Sequence, residues 1–86
     1  VLAKKDARSA KLLLDGNVCL VVFDIPEHAR QARTAIRRYL KRQEFFMYQL
    51  SVWSSKKDMS REIFELIREL GIEEWVHVYI AKEVKG

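Results

Sequence analysis

Asp24 directly follows the longest apolar run of the chain, Val18 to Phe23. A carboxylate there is held rigidly by the strand before it, and two kinds of chemistry are open to it. It can cap the helix that Pro26 and Glu27 announce, accepting backbone N–H groups of the first turn. It can instead serve as a metal or phosphate-site carboxylate. One Asp is a poor magnesium site by itself. Two copies across a two-fold axis make a better one, because paired carboxylates repel and a divalent cation relieves the repulsion. His28 and His77 have no ligand spacing with Cys19, which argues against zinc, and Cys19 reads most simply as a buried strand residue. The three glycines, Gly16, Gly71 and Gly86, make no phosphate loop, and no nucleophile, base and orienting acid stand together.

A second constellation is basic. At about 100° per residue, Arg30, Arg33, Arg37 and Lys41 fall within about 80° of one another on a helix, flanked by Arg38 and Arg42. The one acid in this stretch before Glu44 is Glu27. Solvated helices normally mix signs and this one barely does, so the stripe reads as a solvated face or as a nucleic-acid surface that tracks phosphates.

The elements that must position these residues follow from periodicity. Val18 to Phe23 is apolar on both alternating faces, the mark of a central strand. Glu27 to Arg42 is helical, with Ala29, Ala32, Ala35, Ile36, Tyr39 and Leu40 on one face. Phe45 to Trp53 is strand-like, with Phe46, Tyr48, Leu50 and Val52 opposing Phe45, Met47, Gln49, Ser51 and Trp53. One bent strand and a tight hairpin both satisfy this stretch. Asp58 to Leu70 is a second amphipathic helix, capped by Asp58 or Ser60 and ended by Gly71. Trp75 to Ala81 alternates again. Right-handed crossovers put both helices on one face of the sheet, and with a hairpin in the middle the fold class is α+β, a ferredoxin-like βαββαβ arrangement with an antiparallel sheet. The other face is then expected to show Phe45, Met47, Trp53, Trp75, His77 and Tyr79, too much aromatic surface to leave in water. A homodimer interface containing Trp53, Trp75, His77 and Tyr79 follows. A base-stacking platform is the sharper alternative, although no RNA-recognition signature accompanies it.

Composition bounds the rest. The 86 residues allow one domain, and 49% hydrophobic with 33% charged residues excludes disorder. No run approaches the ~20 apolar residues of a membrane span, and no secretory signal appears. A single cysteine makes no internal disulfide, which favours a cytoplasmic location. The net charge of +4 is a mild invitation to DNA or RNA. Residues 1–16, with Lys4, Lys5, Arg8 and Lys11 against Asp6 in their first part, read as a basic arm or linker, and 17–84 as the domain.

Val21-Val22-Phe23-Asp24-Ile25-Pro26-Glu27, an arginine-rich helix, and then Tyr48-Gln49-Leu50-Ser51-Val52-Trp53 resemble first the small CRISPR-associated Cas2 endonuclease family, and as the alternative the related domain of the PaaX-type phenylacetate-degradation repressors. The resemblance covers roughly residues 17–84. It implies a ferredoxin-like homodimer with a hairpin at Gln49 to Val52. On the Cas2 side it implies that Asp24 is a magnesium ligand at the dimer interface, catalytic in phosphodiester cleavage. It also implies that the dimer bridges DNA alongside the CRISPR integrase protein. Chain size favours that side. Pro26-Glu27, Trp53 and the Asp15-Gly16 turn are closer to the repressors, in which such a domain dimerises and regulates.

Overall fold

The computed structural model describes residues 10–84. Strand β1 (Asn17–Phe23) leads through a single 3-10 turn at Glu27–Ala29 into helix α1 (Arg30–Arg42). A hairpin follows, β2 (Phe46–Gln49) and β3 (Val52–Ser55), then helix α2 (Ser60–Leu70), a second 3-10 turn at Glu73–Trp75, and β4 (Val76–Lys82). The sheet order is β2-β3-β1-β4 with every pair antiparallel, so the first strand lies inside the sheet. This is the α+β ferredoxin-like arrangement, with the hairpin turn at Leu50 and Ser51.

Register decides which side chains share a face. Val21 lies opposite Trp53 on one side and Val78 on the other, and Phe23 lies opposite Val76. These residues and Cys19 form one face. Against it pack Ile36, Tyr39 and Leu40 of α1 and Ile63, Leu66 and Ile67 of α2. Both helices therefore cover the same side of the sheet, and among the described residues their apolar stripes supply six of the fifteen buried apolar side chains.

The two helices stop in the same way. After α1, Glu44 N–H donates to the Lys41 carbonyl and Phe45 N–H to that of Leu40; after α2, Gly71 N–H donates to Arg68 and Ile72 N–H to Ile67. Each is a Schellman ending with a buried apolar residue, Phe45 or Ile72, just beyond it. The left-handed position is occupied by Gly71 at φ 69° in one and by Glu44 at φ 63° in the other. Glu44 has a Cβ to accommodate there, so α1 ends at a steric cost that α2 avoids.

At the start of the described chain, Leu13 N–H donates to the Lys56 carbonyl at 2.8 Å and Asp58 N–H to that of Lys11 at 2.8 Å. Ala10 and Leu13 pack on the core. The segment just before β1 is thus docked. The rest of the expected basic arm, residues 1–9, lies outside the described residues.

Candidate functional site

Asp24 leaves β1 at the edge of the core. Its N–H donates to the Trp75 carbonyl at 2.9 Å, which ties the strand exit to the turn before β4. The side chain is exposed and, among the described residues, makes no hydrogen bond or ion pair. It does not cap: Pro26 begins the 3-10 turn and no side-chain cap bond is made there. The nearest acid in sequence, Glu27, is engaged by Arg33 Nη2 at 3.0 Å and Arg30 Nη1 at 3.5 Å. His28 lies edge-on to Trp75, with ring centroids 5.7 Å apart. Among the described residues no three His, Cys, Asp or Glu side chains group to hold a metal. One chain therefore offers magnesium the single carboxylate of Asp24, and the expected site needs a second copy to complete it.

The basic stripe of α1 divides in two. Arg37 Nε donates to the Leu50 carbonyl at 2.9 Å, and its guanidinium lies 5.8 Å from the centre of the Phe23 ring. The indole N–H of Trp53 donates to the same carbonyl at 2.9 Å. The hairpin turn is thus held from α1 and from its own strand at one oxygen. Arg33 donates to the Ile25 carbonyl at 3.4 Å besides pairing with Glu27. Arg33 and Arg37 are framework residues, while Arg30, Arg38, Lys41 and Arg42 are exposed.

The open face of the sheet differs from expectation. Trp53 is 1% exposed and Phe45 is 7% exposed, so both belong to the core beneath the helices. Trp75 precedes β4, in the second 3-10 turn, and is half-buried against the core. His77 and Tyr79 do stand on the open side, opposite Val22 and Leu20, their rings roughly parallel with centroids 6.4 Å apart. Phe45 and Trp53 point inward, whereas beyond the bulge Gln49 shares the open face with Val52, and all four β2 residues are exposed. Phe46, opposite Ser54, and Tyr48 take the places on the open face that Trp53 and Phe45 were expected to hold. Their rings meet edge-on at 4.7 Å, and Ser54 Oγ donates to the Tyr48 oxygen at 3.4 Å, so Ser54 is buried although it faces outward. A bulge between Met47 and Gln49 shifts the register, and nothing in the residue types announces it.

Beside Phe46 and Tyr48, at the end of β1 away from Asp24, lies a cavity of about 650 Å³ whose rim carries Arg42, Lys56, Glu44 and Glu83. Cys19 is fully buried, and burial pushes its thiol up to about 11, which makes it a packing residue rather than a nucleophile. Asp58 accepts from the Ser60 hydroxyl at 2.6 Å and the Ser60 N–H at 3.1 Å, which holds its carboxyl below the usual range and secures the start of α2. No helix is long and apolar enough to cross a membrane among the described residues.

A family model described as the PaaX protein central Cas2-like domain matches residues 13–86. No curated protein and no solved structure matches the chain. The match begins at the docked Leu13, spans every described strand and helix of the fold, and is consistent with both resemblances. This chain belongs to the family of the PaaX central Cas2-like domain.

Proposed function

We propose that this is the dimerising and regulatory domain of a PaaX-type transcriptional repressor. The observation that carries the reading is the family match over 13–86. The geometry supports it in two ways. The β1–β4 half of the open face presents Leu20, Val22, His77 and Tyr79 with no helix over it, a surface suited to a second copy. The exposed cations of α1 add phosphate contacts that position DNA without reading base edges.

Sedimentation of the chain at micromolar concentration tests the dimer. A mass twice that of the chain is expected, and Tyr79→Glu, at a half-exposed position, should give monomer without loss of fold. A monomer over a wide concentration range would overturn the dimerising role. Incubation with magnesium and single- or double-stranded RNA or DNA tests the rival. No cleavage is expected above that of the Asp24→Asn protein. Magnesium-dependent cleavage that Asp24→Asn abolishes would restore the endonuclease reading, with Asp24 as metal ligand across a two-fold axis.

A further inference from the structure

The cavity at the β2–β3 end of the open face has no part in the reading above, and it has a chemistry of its own. Phe46 and Tyr48 present two rings on the surface of a sheet, 62% and 49% exposed, meeting edge-on at 4.7 Å. An edge-on pair leaves ring faces free, and a flat ring stacks on such a face. Arg42 at the end of α1 and Lys56 after β3 stand on the same rim, and neither side chain has a hydrogen-bond or ion-pair partner among the described residues. Glu44, Glu83 and a third cation, Lys57, share the rim, so the charge is positive at Arg42 and Lys56 but mixed around the whole. A volume of about 650 Å³ suits a small organic ligand.

The ligand that matches exposed rings on a sheet with cations beside them is a base carrying a phosphate. We infer that this cavity binds a nucleotide, its base stacked on Phe46 or Tyr48 and its phosphate drawn to Arg42 and Lys56. The same unit occurs free in solution and within a single strand. Glu44 and Glu83 repel a second phosphate, which limits the site to one or two units. The site is separate from Asp24 and from the Leu20–Tyr79 half of the face, so its existence does not depend on the repressor reading.

The test is fluorescence anisotropy of the 86-residue chain with a labelled oligothymidylate of about eight nucleotides, with thymidine monophosphate as competitor. Saturable binding is expected, weakened about tenfold or more by Phe46→Ala. Arg42→Gln and Lys56→Gln should each lower the salt slope by about 0.7. Arg61→Gln, an exposed cation of α2 outside this cavity, should leave binding unchanged. Displacement by thymidine monophosphate at a concentration near the strand's own dissociation constant assigns the site to free nucleotides; displacement by unlabelled strand alone assigns it to single strands; either result supports the site. Phe46 is exposed, so its variant should keep the parent urea midpoint, and Tyr48→Leu serves as a second probe of stacking. Absence of saturable binding by both ligands would overturn the inference. So would binding that ignores Phe46→Ala and Tyr48→Leu, or that Arg61→Gln weakens as much as Arg42→Gln, since either describes diffuse attraction to surface cations.

Discussion

Trp53→Phe distinguishes the core position of this residue from a place at an interface. The indole is 1% exposed and donates to the Leu50 carbonyl at 2.9 Å. Phenylalanine keeps the six-membered ring but loses the N–H and part of the packed volume. The hydrogen bond is worth about 1 kcal/mol. The smaller ring and the void it leaves add about 1 kcal/mol more. No acceptor is orphaned, because Arg37 still donates to the same oxygen. The expected loss is therefore about 2 kcal/mol, against about 3–5 kcal/mol for Trp53→Ala. With an m-value near 1 kcal/mol per molar urea for a domain of this size, the midpoint should fall by about 2 M. The measurement belongs in the Tyr79→Glu background at fixed protein concentration, so that dimer formation does not enter the midpoint. Arg37→Gln alone should cost about 1 kcal/mol. The double variant should exceed the sum by at most about 1 kcal/mol, because water reaches the freed carbonyl at a surface turn. An unchanged midpoint with Trp53→Phe, accompanied by weaker self-association of the otherwise native chain, would refute the reasoning and return Trp53 to an interface.

The other expectations are shorter. Glu44→Gly should stabilise by up to about 1 kcal/mol because the residue sits at φ 63°, whereas Gly71→Ala at φ 69° should destabilise by about 1 kcal/mol although its Cβ would meet nothing within 4 Å; thermal unfolding reads both. Cys19, with its thiol pushed up to about 11, should resist alkylation at pH 8 in the native protein and label at once in denaturant. Asp58 has its folded pKa lowered, so its contribution is present above the ordinary Asp value and disappears as the pH falls through the lowered one; Asp58→Ala should cost up to about 1 kcal/mol at pH 7 and nothing in strong acid, by urea midpoints. Arg30→Gln with Lys41→Gln should flatten the salt dependence of duplex DNA binding by about two units, while Arg33→Ala and Arg37→Ala should lower stability as well.

Much of this fold is legible in the residues. Val18 to Phe23 is apolar on both sides because β1 has a strand on either flank, a core below and apolar neighbours above. The helices declare themselves through Ile36, Tyr39 and Leu40, and through Ile63, Leu66 and Ile67, all buried. Within 45–53 the pattern separates two faces without saying which is inward, because both carry large apolar side chains and burial depends on the helices that cover one of them. A choice of side inverts the residues of an unbroken register together, so Trp53 and Phe45 exchange places with Phe46 and Tyr48, while the bulge returns Gln49 to the open face. For Asp24, its position after β1 is legible but its surroundings are not: the pairing of Glu27 with Arg33 spans six positions along the chain and depends on how the 3-10 turn enters α1. The rim of the cavity joins residues from α1, β2, β3 and the exit of β4, and no local spacing unites them.

The place of β1 inside the sheet also governs how the molecule is made. Its partner β3 emerges about thirty residues after it, and β4 about sixty. During synthesis the most apolar segment of the domain therefore leaves the ribosome before either of its partner strands, and it is fully paired only when β4 has emerged. Until β4 arrives, β1 presents an open apolar edge, the condition under which nascent chains aggregate or pair with one another. The sheet closes by long-range contacts, which slows folding relative to a helical bundle of equal length. Truncation within Val76–Lys82 thus removes more than an edge: it leaves the central strand half-paired, and such a chain should accumulate in the insoluble fraction rather than as a smaller folded domain.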